Sequence, residues 1–327
     1  MSAQQDASTR EEQLYGALET EKVNAATAEI DRMSPLEIVQ AINAEDARVA
    51  QAVEQVLPYV ARAVEAIAVR LRRGGRLIYF GAGTSGRLGA LDAAECPPTF
   101  NIPPEMVIGR IAGGHFALWQ AVEDLEDSAE AGNSDAAQLA IVEQDVVVGI
   151  TASGRTPYVL GAISYAREKG ALCIGLACNR DTALEKVVEI IIAPVVGPEV
   201  INGSTRLKAG TAQKMVLNML STGTMILLGK TYGNLMVDVQ PTNRKLHQRA
   251  VGIVQQATGL APDAAEALLQ EAGGEVKTAI IVGRTGIAPE EAREQLAAHD
   301  QFLRRALDAL DAKNDAQGHE PGHGCET

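Results

Sequence analysis

Two short stretches of this chain set hydroxyls and glycines where a strand gives way to a helix. The first is Gly81-Ala82-Gly83-Thr84-Ser85-Gly86, directly after the β-rich run at 76–80. The second is Thr151-Ala152-Ser153-Gly154-Arg155-Thr156-Pro157, directly after the run at 145–150. At such a junction the bare N–H groups and the positive helix end face an anion. Thr84, Ser85, Ser153 and Thr156 add hydroxyl donors, while Gly83, Gly86 and Gly154 let the backbone turn tightly. Taken singly, the second loop reads first as an N-cap with a turn glycine. Two such loops after two strands of one sheet point instead to a phosphate bound beyond the strands' carboxyl ends. A third cluster, Asn202-Gly203-Ser204-Thr205-Arg206-Leu207-Lys208, opens a further predicted helix. There Ser204 is either a cap or, with Thr205, a neighbour of the ligand, and Lys208 offers a charge to compensate a phosphate dianion.

Gly81, Gly83 and Gly86 also match the Gly-x-Gly-x-x-Gly dinucleotide pattern, a weak signal alone. That pattern wants an acid at the end of the next strand to hold a ribose. The next run, at 106–111, leads into Ala112-Gly113-Gly114 with no acid. A simple phosphate therefore ranks above a nucleotide, and no Gly-Lys-Ser/Thr follows to make a nucleoside-triphosphate loop.

Carboxylates are the available acid and base groups. Glu95 precedes Cys96-Pro97-Pro98 and is expected at the end of the helix that starts at the first loop. The negative helix end, with partial burial, would raise its pKa and suit a general acid. An exposed surface glutamate is the plainer reading of that position. Glu123, Asp124, Glu126, Asp127 and Glu130 form an acidic cluster on one predicted helix, with Phe116, Leu118, Trp119 and Val122 as its apolar positions. Spacing singles out none of them.

Runs at 76–80, 106–111, 145–150, 172–177 and 189–193 are nearly continuous in apolar residues and alternate with helical stretches. That is the signature of a parallel sheet covered on both faces. Ser34-Pro35-Leu36-Glu37 predicts a capped helix start. Apolar spacing from Asp46 to Arg73 predicts one helix, kinked at Pro58. A long helix is expected from about 206 to 229, then helix, Gly-Gly turn, helix over 263–282, then another helix from 289 to about 310. The expected organisation is an N-terminal tail and helical arm (1–45), a sugar-phosphate-binding domain (46–245), a small helical domain (246–312) and a disordered tail (313–327). His319 and His323 fall in that tail, where flexible chain outweighs metal binding.

The 327 residues carry a net charge of −13, 46% hydrophobic and 3% aromatic residues. Such a field repels nucleic acid and anionic membranes. Met215–Leu228 is too short and too polar to span a bilayer. Cys96, Cys173, Cys178 and Cys325 make no Cys-x-x-Cys pair, and the polar N-terminus has no apolar leader, so a reduced, cytoplasmic setting is expected.

The stretches LIYFGAGTSGRLGALDAAECPPTF, ITASGRTPYV, NGSTRLKAGTAQKMVLNMLST and GNLMVDVQPTNRKLHQRA resemble the bacterial N-acetylmuramic acid 6-phosphate etherases of the sugar isomerase (SIS) superfamily. The likeness runs from about Asn24 to about Leu310. It implies a three-layer α/β sandwich on a five-stranded parallel sheet and a small C-terminal helical fold of the ubiquitin-associated type that covers the site. It also implies cleavage of a lactyl ether by elimination and rehydration, with neither metal nor organic cofactor. By position it makes Glu95 the acid and Glu126 the base. The phosphate hydroxyls become Thr84, Ser85, Ser153 and Thr156, with Ser204 and Thr205 as neighbours, and the chain becomes a homodimer with its site near the interface. The sequence departs from the family at Asp124-Leu125, where smaller residues are usual.

Two other functions fit the loops. A non-catalytic sugar-phosphate sensor needs them without the acid and base, and no basic DNA-binding helix-turn-helix accompanies them. A sugar-phosphate isomerase shares the C2 base. His247, on a helical segment, reads as structural.

Overall fold

The computed structural model of the chain describes residues 18–120, 122, 124–239 and 243–317. It divides into two compact units, one from the described residues of Met1–Cys96 and Pro103–Thr224, the other from those of Pro97–Ile102 and Met225–Thr327.

In the first unit, five strands form one sheet: β1 (Leu77–Gly81), β2 (Val107–Ile111), β3 (Val146–Ile150), β4 (Leu172–Leu176) and β5 (Ile190–Ile192). All pair in parallel in the order β2-β1-β3-β4-β5. β1 and β3 are fully buried, which explains their unbroken apolar runs. Strand order reverses between β1 and β3, so a crevice opens beyond their carboxyl ends. Among the described residues the α-helices of this unit are α1 (Pro35–Asp46), α2 (Val49–Glu54), α3 (Leu57–Arg72), α4 (Gly83–Phe100), α5 (Ala129–Gln138), α6 (Pro157–Glu168) and α7 (Lys208–Leu227), with α4 and α7 each running past its bounds. On one sheet face Ile78, Phe80 and Val147 bury against Tyr158, Val159 and Ile163 of α6.

Ser34 and Glu37 form the expected capping box at the start of α1. The single kinked helix over 46–73 is not formed. The chain breaks between α2 and α3, and Pro58 sits in the first turn of α3, where its missing N–H costs nothing. Cys96, Cys173 and Cys178 are free and buried.

The second unit is helical: α8 (Arg244–Thr258), α9 (Pro262–Glu271), α10 (Val276–Thr285), α11 (Pro289–Ala298) and α12 (Leu303–Gln317). Val254, Leu269, Ile280, Leu296 and Leu307 form its core, joined by Val237 and Val239. Gly273 and Gly274 make the expected turn with positive φ. The region expected as three helices holds five. The one helix expected from 289 to 310 is two, because Asp300 and Gln301 take positive φ between them. α12 continues to Gln317 and takes in the first residues of the stretch expected as tail, while His319, His323 and Cys325 lie outside the described residues. His247 Nε2 lies 2.9 Å from both carboxylate oxygens of Glu266, a structural pairing. Among the described residues no helix is long and apolar enough to cross a membrane.

Candidate active site

The first loop is shaped by a close backbone approach. A side chain at Gly81 would put its Cβ 2.6 Å from the Gly86 nitrogen, and one at Gly86 would put its Cβ 2.6 Å from the Gly81 oxygen. The glycine spacing that imitates a dinucleotide fingerprint is thus met by packing of β1 on the first turn of α4. Thr84 and Ser85 ride on that turn, and Ser85 Oγ lies 2.9 Å from Gln213 Oε1 of α7.

In the second loop Thr151 is the hub. Its Oγ1 lies 2.8 Å from Thr156 Oγ1 and 3.2 Å from Ser153 Oγ, which also accepts from the Arg155 N–H. Thr156 is the N-cap residue of α6, yet its hydroxyl makes no capping bond. Gly154 has φ +68, and a Cβ there would sit 2.4 Å from Thr182 Cβ. No other residue fits this turn without strain.

Both loops open on one cavity of about 300 Å³ at the β1/β3 crevice. Gly83, Thr84, Ser85, Thr151, Ser153, Thr156 and Thr205 line it, as does Glu126. The turn that carries Glu126 is fastened by its backbone carbonyl, which accepts from the Tyr158 N–H at 3.1 Å. The acidic cluster does not form one helix. A 3₁₀ turn covers Gly114–Leu118, α5 starts only at Ala129 because Ser128 caps it, and Phe116 and Trp119 stand 76% and 79% exposed rather than packed. Glu123 lies outside the described residues. Glu21 and Asp127 also line the cavity. Sequence reasoning passed over Glu21, which the N-terminal arm brings in through bonds from the Glu19 N–H to Asn179 and from Thr27 Oγ1 to the Val200 carbonyl.

Lys208 does not face this cavity. It is 1% exposed, with Nζ 2.6 Å from Glu45 Oε2 and 2.9 Å from the Val196 carbonyl. Its backbone N–H and that of Ala209 donate to the buried Glu199 carboxylate at 2.9 Å each, so Glu199 caps α7 and Ser204 does not. The helix begins at Lys208 rather than 206, and neither Ser204 nor Lys208 lines the cavity.

Glu95 stands apart from the cavity too. α4 runs on through Pro97 and Pro98 to Phe100, so Glu95 is not at the helix end where the sequence places it. Its side chain is exposed and lines a second cavity of about 200 Å³ with Leu88, Leu91, Asp92, Lys214, Leu217 and Asn218. One turn back on α4, buried Asp92 accepts from Tyr79 (2.9 Å), Asn218 (2.8 Å) and Ser221 (3.0 Å). Burial raises the Asp92 carboxyl above its ordinary value despite these bonds. Burial and the Asp92 charge push the Cys96 thiol up to about 12, which removes it as a nucleophile at neutral pH.

A parallel sheet in this order, with hydroxyl-rich loops beyond β1 and β3, makes this a doubly wound α/β protein, and the family matches narrow it to the SIS class. The SIS domain family matches residues 127–223, the glucokinase regulatory protein N-terminal SIS domain matches 59–167, and the C-terminal lid domain of glucokinase regulatory protein matches 233–277. The N-acetylmuramic acid 6-phosphate etherase of Salmonella agona (strain SL483) is 54% identical over 293 residues, which span 90% of this chain and 99% of that protein. That of Serratia proteamaculans (strain 568) is 56% identical over 292 residues, spanning 89% and 98%. This chain belongs to the N-acetylmuramic acid 6-phosphate etherase family. A solved phosphoheptose isomerase from Francisella tularensis is similar at 16% identity and a TM-score of 0.44, covering 59% of this chain and 100% of that one.

Proposed function

We propose that this protein cleaves the D-lactyl ether of N-acetylmuramic acid 6-phosphate, yielding N-acetylglucosamine 6-phosphate and D-lactate in cell-wall amino-sugar recycling. The observation that carries the reading is the single cavity shared by the two hydroxyl loops and the Glu126 carboxylate.

The phosphate is held by the hydroxyls of Thr84, Ser85, Ser153 and Thr156 and the backbone around Gly83, Gly86 and Gly154, with Thr205 beside them. This anchors the sugar so that C2 stands at Glu126, with Glu95 meeting the lactate oxygen in the site completed by the dimer. In the open-chain form the C1 aldehyde acidifies the C2 proton. Glu126 takes that proton, the C3–O bond breaks, and Glu95 protonates the departing lactate oxygen. The product of this step is an α,β-unsaturated aldehyde. Water then adds at C3 and a proton returns to C2, which restores the sugar and both carboxyl states. No group beyond the two carboxylates is required.

The chain acts as a homodimer in the cytoplasm, with the site near the subunit interface. The exposure of Glu95 outside the Glu126 cavity supports a site completed there, and the buried, unpaired cysteines suit a reduced compartment. Residues 46–245 form the sugar-phosphate-binding part and 246–312 the helical part. A regulatory sensor would keep the hydroxyl loops and dispense with Glu95 and Glu126, whereas this chain has both.

Turnover in ¹⁸O-labelled water tests the chemistry. Elimination and rehydration place the label on C3 of the sugar and leave D-lactate unlabelled. Label in the lactate would mean attack on the lactyl carbon and would overturn the mechanism.

A further inference from the structure

Gln213 sits on α7, 1% exposed, directly behind the first hydroxyl loop. Its Oε1 accepts the Ser85 hydroxyl at 2.9 Å, and its Nε2 is buried with no hydrogen-bond partner. Each fact is awkward for a phosphate site. A serine hydroxyl has one proton, so donation to Gln213 leaves Ser85 only lone pairs to show the cavity it lines. A phosphate dianion accepts hydrogen bonds and is repelled by lone pairs. Meanwhile a buried NH₂ without a partner is among the rarer arrangements in folded proteins.

One movement relieves both. A half-turn of the terminal carboxamide exchanges oxygen and nitrogen without changing the side chain's shape. Nε2 then donates to Ser85 Oγ, and the Ser85 proton is released toward the cavity. The orphaned atom becomes a carbonyl oxygen, which buried sites tolerate better than an orphaned N–H.

We propose that Gln213 is a positioning residue for the phosphate: with sugar phosphate bound, its carboxamide donates to Ser85 Oγ and directs the Ser85 proton to a phosphate oxygen. The proposal rests on reading the cavity as the phosphate site.

A four-protein cycle tests it: the wild type, Ser85→Ala, Gln213→Glu and the double variant, titrated calorimetrically with N-acetylglucosamine 6-phosphate. Glutamate keeps the size and the acceptor but loses the donor, so it holds the Ser85 proton inward. Each single change is expected to weaken binding about tenfold or more, as loss of one charge-assisted bond does. The double variant is expected to bind within about threefold of Ser85→Ala, because Gln213 acts through that hydroxyl. In turnover, Gln213→Glu should raise KM while kcat stays within a few-fold. An equal further loss in the Ser85→Ala background would mean that the new charge or a structural defect acts directly, and would overturn the proposal. So would wild-type binding by Gln213→Glu. Wild-type binding by Ser85→Ala would instead remove the phosphate reading of this loop, and the proposal with it. Should Gln213→Glu fail to fold, the neutral Gln213→Met enters the same cycle, with about threefold weaker binding expected when Ser85 is present and no further weakening in the Ser85→Ala background; an equal loss of about threefold in both backgrounds would overturn the proposal.

Discussion

The backbone N–H of Tyr158 donates to the carbonyl of Glu126 at 3.1 Å, so the turn carrying the proposed base is fastened to the first turn of α6, behind the second hydroxyl loop. That bond joins the turn of the proposed base to the helix that the second hydroxyl loop opens. Because the fastening is backbone to backbone, Glu126→Gln keeps it. It should lower kcat by about 10²–10⁴-fold, the usual contribution of a positioned general base. Exchange of the C2 proton with deuterated solvent, followed by NMR, should disappear with it. Undiminished exchange would assign the base to another residue.

Glu95→Ala separates the two carboxylates. Ether cleavage should be abolished while C2 exchange continues, since Glu126 is still present. Loss of both activities in a folded protein would contradict this division of roles.

Thr151 shows how a buried hydroxyl can matter without being the obvious ligand. Thr151→Val keeps the side chain's shape but frees Thr156 and Ser153 from their common partner. We expect KM for the sugar phosphate to rise about tenfold, with a stability loss of about 1–3 kcal/mol from the disrupted buried bonds. An unchanged KM would show that the hydroxyls are ordered by the backbone alone.

The Glu45–Lys208 pair sets a pH dependence of stability. Burial pushes the Glu45 carboxyl up, but the hydrogen bond and charge of Lys208 and the charge of Arg48 together hold it below its ordinary 4.5. The pair's contribution is therefore present above pH 4.5 and lost as the pH falls through the lowered value. Glu45→Gln should cost about 3–5 kcal/mol at pH 7, because it leaves the Lys208 ammonium buried without a counter-charge. Urea denaturation should find that gap shrinking toward pH 3. A gap of constant size would show that packing, not charge, makes the pair valuable.

The sheet was legible because its strands are buried on both faces, and burial on both faces writes an unbroken apolar run such as Val146–Ile150. The two hydroxyl loops were legible because the glycine-hydroxyl pattern recurs after two strands of one sheet, whereas either loop alone reads as an N-cap with a turn glycine. Lys208 misled because sequence shows a cation near the loops but not the buried Glu45 distant in the chain, which claims it. The helix end expected at Glu95 is absent because α4 carries Pro97 and Pro98 within it, and sequence does not show how a helix absorbs two prolines. Glu126 has no local mark at all: its turn is held by a backbone bond to Tyr158, and only the family likeness picks it out of the acidic cluster. Gln213 was invisible for the same kind of reason, since its partner Ser85 lies on another helix.

The most direct measurement is D-lactate release from N-acetylmuramic acid 6-phosphate by the purified protein, with EDTA present and Glu126→Gln run in parallel. The account predicts lactate and N-acetylglucosamine 6-phosphate in equal amounts from the wild type and almost none from the variant. No lactate from a wild type that still binds the phosphosugar would contradict it, and would leave a sugar-phosphate sensor in its place.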